Sequence, residues 1–272
     1  MALLDKYNNA HFLARYPLGQ IFKDSEGYIG KVLQPPLTLP EELSHDLIVT
    51  LRQESMVLKE PGDETIMPSL DMEESSGELL IRFSNPDHPP LSSYLKKNHP
   101  VSPKVIIRIL DRLSRIFSRL FELGIHRFQL EPDILTWDVK KRKMYYVDTG
   151  LANLAKHPDL VQLGYFDGKP QFLPPELLRL GELGAASEVY VFAVFSHYLL
   201  SGSLPFENFS PAAAAAFCIN EVLPPVNRFE DLREKEVNQL LARGAEKKPE
   251  KRISSLEEFL AKLGEIIGTG GS

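Results

Sequence analysis

The run Asn85-Pro86-Asp87-His88-Pro89-Pro90 puts three prolines into six residues. A helix or strand cannot continue through it, because each proline removes a backbone N–H and fixes φ. The apolar pattern changes across this break. Before it, HFLARY, QIFKD and GYIGKVL are separated by turn signals at Pro17-Leu18-Gly19 and Asp24-Ser25-Glu26-Gly27, which predicts three short strands. Pro40-Glu41-Glu42 opens a helix with Leu43, Leu47, Leu51 and Leu58 at mostly helical spacing. Two further strands are expected around Thr65 to Met72 and Glu78 to Phe83, on either side of the turn-like Glu73-Glu74-Ser75-Ser76-Gly77.

After the break the chain is mostly helical. Ser102 to Leu123 carries Val105, Ile106, Ile109, Leu110, Leu113, Ile116, Phe117, Leu120 and Phe121, an amphipathic stripe whose plain meaning is core packing. Ile134 to Asp138 and Lys143 to Val147 read as two strands joined by a basic turn. Helices are expected again near Pro175, Ser187, Pro211, Asp231 and Ser254. The pattern implies an α+β chain: a small strand-rich lobe at residues 1–84 and a larger helical lobe at 85–267. Residues 268–272 have the composition of a flexible tail or cloning scar.

Composition narrows the function classes. At 272 residues the chain can bury a sizeable core, and a formal net charge of -6 gives no reason to expect nucleic acid. Lys140-Lys141-Arg142-Lys143 reads as a solvated hairpin turn rather than a nucleic-acid patch. One cysteine, Cys218, rules out an internal disulfide and a zinc site of several thiolates. The seven histidines include no H-E-x-x-H pair, so a metal hydrolase is not indicated. The N-terminus lacks the apolar run of a signal peptide. The most apolar run, Val189 to Leu200, is too short for a bilayer and contains Ser196 and His197. A cytoplasmic protein without a membrane span is the expectation.

The stretch GIHRFQLEPDILTWDVKKRKMYYVDTG, Gly124 to Gly150, resembles the catalytic and metal-binding loops of the protein kinase superfamily, in the style of Ser/Thr kinases. The family pattern H-R-D-x-x-x-x-N, then an apolar pair, then D-F-G, maps onto it without a gap. His126 and Arg127 match, Asp133 stands for the metal-binding Asn, Ile134-Leu135 follow, and Asp148-Thr149-Gly150 stands for D-F-G. Downstream, Gly168 to Glu176 resembles G-T-P-x-Y-x-A-P-E, Ser187-Glu188-Val189-Tyr190 resembles S-D-V-Y, and Gly202 to Phe206 resembles G-x-x-P-F. Lys248 to Arg252 resembles D-P-x-x-R. Upstream, Tyr28 to Leu33 looks like V-A-x-K-V-L. The resemblance implies a bilobal kinase-like fold over nearly the whole chain. It makes Lys31 the phosphate-holding lysine, Glu54 its glutamate partner, and Asp133 and Asp148 the magnesium ligands. It also implies a structural ion pair between Glu176 and Arg252.

The resemblance also shows what has been rewritten. Phe128 stands where the proton-accepting Asp belongs, and Leu130 where a lysine touches the transferring phosphate. Lys169 replaces the threonine that links those two. Phosphoryl transfer needs a group to position the hydroxyl and charge to neutralise the phosphates. A general base is worth about 10²–10⁴ in rate and an electrostatic donor about 10²–10³. From a family turnover of roughly 1–100 s⁻¹, even a discounted, non-additive loss of both leaves turnovers that take minutes to hours. The segment Tyr16-Pro17-Leu18-Gly19-Gln20-Ile21-Phe22 stands for the G-x-G-x-x-G loop with one glycine and several residues too few.

Weak or absent binding of ATP and Mg²⁺ is therefore expected. Between Gly150 and Gly168 Tyr165 is the one hydroxyl, so activation by phosphorylation of that segment is not expected. Thr149 replaces a spine aromatic, and Glu188 lengthens the side chain that steadies the H-R-D loop. The reading is a pseudokinase, a scaffold or allosteric module that signals by binding a protein partner. The alternatives are a divergent Ser/Thr-type phosphotransferase with Glu131 or Asp133 as base, and an ATP sensor.

Overall fold

The computed structural model describes residues 3–7, 10–126, 128, 130, 132–148, 150–154, 156–165, 169–179, 183–229 and 232–268. Arg127, Glu131, Thr149 and Gly168 lie outside the described residues, as do 269–272. The chain forms two compact units. One comprises Met1–Leu91, Ile116–Arg127 and Glu131–Gly168, and the other Ser92–Arg115, Phe128–Leu130 and Lys169–Ser272.

The first unit begins with a 3-10 turn (Leu3–Tyr7), then β1 (His11–Tyr16), β2 (Gly19–Lys23) and β3 (Ile29–Leu33). Helix α1 (Glu41–Val57) follows, then β4 (Ser69–Ser75) and β5 (Glu78–Phe83). The five strands make one antiparallel sheet in the order β1-β2-β3-β5-β4. Every residue of the central β3 is buried, Lys31 included. Phe22, Val32 and Leu80 pack with Leu3 beneath the sheet. Helix α1 starts without a side-chain cap, but Glu41 and Glu42 sit where the helix dipole favours negative charge. Its Leu47 and Leu51 are buried.

Two short strands, β6 (Leu135–Asp138) and β7 (Lys143–Tyr146), form a separate hairpin in this unit. Its turn is the basic Lys140–Arg142 run, exposed to solvent. The Asp138 carboxylate accepts from the N–H groups of Lys140 and Lys141, at 2.9 and 3.0 Å, and fixes that turn. The hairpin explains one departure from the sequence reading. The strand expected from Thr65 begins only at Ser69, because Thr65 and Met67 bond instead to the Tyr146 backbone, at 2.8 Å each. Pro68, which has no N–H, separates the two allegiances. A four-residue helix, α4 (Asp159–Gln162), was not indicated by the sequence.

The second unit is helical. Helix α2 (Leu91–Asn98) precedes α3 (Pro103–Glu122), whose last two turns belong to the first unit. A 3-10 turn (Pro170–Phe172) leads to α5 (Pro175–Leu178), α6 (Ala185–Ser201), α7 (Pro211–Asn220) and α8 (Leu232–Gly244). A final 3-10 turn (Pro249–Lys251) precedes α9 (Leu256–Gly268). Helix α6 is buried at every position from Val189 to Leu200. A helix apolar all round is a core helix, and α8 and α9 pack on this one. Ser210 caps α7 by accepting from the Ala213 N–H at 3.3 Å, so the alanine run begins a properly stopped helix. No helix among the described residues is long and apolar enough to cross a membrane.

Candidate functional site

Lys31 sits on β3 with its neighbours tightly packed, so its four-carbon stem has one direction to go. Its Nζ donates to Asp148 Oδ2 at 2.9 Å and to the Gly150 carbonyl at 3.0 Å, and lies 5.2 Å from the centre of the Phe83 ring. Asp148 follows β7 and is fully buried. Its other oxygen, Oδ1, accepts from the Tyr146 hydroxyl at 3.1 Å. Tyr146 precedes Asp148 by two residues, and in extended chain that spacing puts both side chains on one side. The carboxylate is thus closed on both oxygens by donors of its own unit. A buried ion pair survives the loss of hydration only when its remaining polar sites are satisfied, and here they are.

Glu54 is another buried charge of this unit. It is buried on α1, accepts from Asn153 Nδ2 at 2.7 Å, and lies 3.5 Å from Lys156 Nζ. Lys31 pairs with Asp148, and Glu54 pairs with Lys156. One turn earlier on the same face of α1, Thr50 Oγ1 is 2.8 Å from His157 Nε2. Burial depresses the His157 pKa, outweighing the acidic neighbours Asp46 and Glu54. Further along, Thr38 Oγ1 meets the Tyr165 hydroxyl at 2.9 Å. The segment after Asp148 is therefore tied to β3, to α1 and to the loop between them.

The β1–β2 connection is a two-residue turn, Pro17-Leu18, with Tyr16 paired to Gly19. Pro17 has no N–H to offer, Leu18 is buried, and the Leu18 carbonyl accepts from Gln34 N at 2.7 Å. A loop that cradles phosphates does so with several convergent backbone N–H groups, and this turn lacks them. Gly19 has φ +156°, and a Cβ there would lie 1.9 Å from the Val32 carbonyl oxygen, so glycine is required by close packing of β2 on β3.

Phe128 and Leu130 are buried, while Lys169 is half-buried and leads into the Pro170–Phe172 turn. Asp133 is exposed in the turn before β6. Among the described residues no group of three or more His, Cys, Asp or Glu side chains could hold a metal ion. In the helical unit, Glu176 and Arg252 form a two-pronged pair at 2.7 Å on each side, joined by the Ser187 hydroxyl at 2.6 Å. Arg252 also donates to the carbonyls of Glu246 and Ala186 and lies 5.2 Å over the Tyr190 ring. Burial pushes the Glu176 carboxyl up, but Arg252 and Ser187 together hold it below the usual range.

The protein kinase domain family matches residues 37–262. This chain belongs to the protein kinase family. Among curated relatives, it is 24% identical over 269 residues to the serine/threonine-protein kinase pkn3 of Myxococcus xanthus, covering 95% of this chain and 49% of that protein. It is 21% identical over 258 residues to the serine/threonine-protein kinase PknH of Mycobacterium bovis, covering 93% and 43%. With the probable serine/threonine-protein kinase PknB of Lactococcus lactis it shares 21% over 259 residues, covering 94% and 41%. The chain thus spans half or less of the length of these relatives.

The five-stranded sheet and the helical remainder are the bilobal kinase fold. Active members of this family use ATP and Mg²⁺. The resemblance assigns Asp148 to the metal, which takes oxygen ligands. Both oxygens are engaged and the residue is fully buried. Tyr146, Asn153, Lys156 and His157 were not picked out from the sequence. The two-residue spacing of Tyr146 and Asp148 was a usable signal, whereas the other three meet α1 only through tertiary folding.

Proposed function

We propose that this kinase domain signals by being bound and does not transfer phosphate. The observation that carries the reading is the closed Lys31–Asp148–Tyr146 cluster. The ammonium that would meet phosphate and the carboxylate that would meet metal neutralise each other, and the tyrosine hydroxyl holds the remaining oxygen. A nucleotide with its metal would have to break that cluster before gaining any contact. Three features of the chain agree with this. Phe128 offers no proton acceptor, Leu130 and Lys169 remove its partners, and the Pro17-Leu18 turn has no set of N–H groups for phosphates. Lys31, Glu54, Asp133 and Asp148 are then vestiges of a nucleotide site, while Glu176 and Arg252 keep the helical lobe intact. The ligand of the domain is a protein, which reads a fixed surface rather than a catalytic state.

The test is thermal unfolding with and without Mg-ATP. A ligand at 100 times its dissociation constant adds about 2.7 kcal/mol, several degrees for a chain of this size. No rise is expected at millimolar Mg-ATP. Phosphate transfer to a protein substrate that disappears in Asp148→Ala would overturn the proposal and favour the divergent enzyme. Phe128→Asp alone is expected to leave transfer undetectable, because Leu130 and Lys169 remain.

A further inference from the structure

The C-terminal end of α6, the chain after α2 and the loop before α8 enclose a groove of about 500 Å³ in the helical unit. Its walls include His99, Pro100, Ser201, Pro225, Asn227 and Arg228, and among the described residues no acidic one lines it. Arg228 is half-buried, and its guanidinium donates to two backbone carbonyls, Leu200 at 3.3 Å and Val101. Its other recorded contact is the Phe229 ring at 5.8 Å. Five N–H donors less these two leave three.

The plain role of Arg228 is to tie the end of α6, where carbonyls carry partial negative charge. That role does not account for the whole arrangement. Burial depresses the Arg228 pKa, and the two bonded groups are carbonyls, not carboxylates. His99 stands beside it. Gly202 ends α6 with φ +80°, and a Cβ there would come within 2.8 Å of the imidazole, so bare glycine is what lets the ring lie over the helix end. Burial, and then the charge of Arg228, lower the His99 pKa, which marks the two side chains as near neighbours. The exposed Asn227 amide adds a neutral donor, while the Ser201 hydroxyl is neutral and spends its proton on the Ser203 carbonyl at 2.8 Å. A fork of N–H donors with neutral polar side chains around it is the donor set for a planar or tetrahedral oxyanion.

We propose that this groove is a binding site for a small oxyanion, a phosphate or a carboxylate carried on a compact organic body. The missing counter-charge of Arg228 comes from the ligand, and the volume of the groove admits more than the anionic group alone. The site is separate from the Lys31–Asp148 cluster and does not depend on whether that cluster binds nucleotide.

The experiment is a titration of the full chain, followed by ¹H–¹⁵N correlation spectra. Sodium phosphate and sodium succinate are the two probes, and sodium chloride at matched ionic strength is the reference. Saturable shifts confined to residues 99–101, 200–203 and 225–229 are expected with one or both probes, and the stronger identifies the anion class. Arg228→Gln is expected to weaken binding at least tenfold. Because that change also loosens the ties to Leu200 and Val101, Asn227→Asp serves as the second variant. It places a carboxylate in the groove without touching those ties, and the same weakening is expected. Shifts reproduced by chloride, the absence of saturation with both probes, or unchanged affinity in Asn227→Asp would overturn the proposal.

Discussion

Arg252 has a fully buried side chain, and its charge is answered by one carboxylate, Glu176. Removing one member of such a pair leaves an uncompensated charge, at a cost of about 3–5 kcal/mol. The carbonyls of Glu246 and Ala186 remain as partial acceptors, so Glu176→Gln is expected at the lower end, about 3 kcal/mol. Urea unfolding would measure it, and a loss under about 1 kcal/mol would show that the carbonyls alone suffice. The same scale separates two buried carboxylates of opposite consequence. Glu176 is held by a group whose work is structural. Asp148 is held by Lys31 and Tyr146, in the cluster on which the proposed loss of phosphate transfer rests.

Among the elements, the β1–β2 hairpin is the most constrained. Its two-residue turn leaves no slack, and Gly19 lies against the Val32 carbonyl. Alanine where φ is positive destabilises by more than the roughly 0.4–1 kcal/mol gained at compatible sites, and here the Cβ also meets backbone. Gly19→Ala is therefore expected to cost at least about 1 kcal/mol in urea unfolding. Its backbone amides from Tyr16 to Phe22 should exchange faster with deuterium. Unchanged stability would mean that β2 can move away from β3 freely, against the paired register from Gly19–Leu33 to Lys23–Ile29. Helix α6 is the opposite case. It is buried on all sides, and it carries one titratable imidazole inside that packing.

For the whole molecule that imidazole sets a pH dependence. Burial lowers the His197 pKa to about 4, with the Pro224 carbonyl opposing less strongly. Its Nδ1 lies 3.4 Å from the Ser201 hydroxyl, and its Nε2 makes no well-formed hydrogen bond among the described residues. Between the ordinary histidine value near 6.5 and about 4, the unfolded chain binds a proton that the folded chain does not. Stability is therefore complete above about pH 7 and falls as pH drops through that window. The loss is about 3 kcal/mol if the whole shift is expressed.

His157 works in the same direction through its own burial. Glu176, with its depressed pKa, adds a further loss at lower pH, below the ordinary carboxylate range. Thermal unfolding between pH 7.5 and pH 5 is expected to show a falling midpoint, with a flatter dependence in His197→Gln. An equally steep dependence in that variant would assign the effect to other groups.

Much of the fold was legible in the sequence because it rests on local rules. The strands of the sheet, the start of α1, the α3 stripe and the apolar α6 follow from periodicity, prolines and glycines. The kinase relationship rests on motifs at fixed spacing, and these do not need coordinates. The short turn at Pro17-Leu18 could also be read directly, since too few residues remain for a longer loop. The partners of the buried charges could not. Lys31, Glu54 and Asp148 were identifiable, through the resemblance, as the candidate charges of a nucleotide site. Which of them would pair depended on where a distant segment folds back, and several acids competed for one lysine. Tertiary structure gave Lys31 to Asp148 and Gly150, and Glu54 to Asn153 and Lys156. The reason is desolvation. A charge removed from water is held by whichever partner the packed chain brings within 3 Å, and that partner is set by the fold of more than a hundred intervening residues.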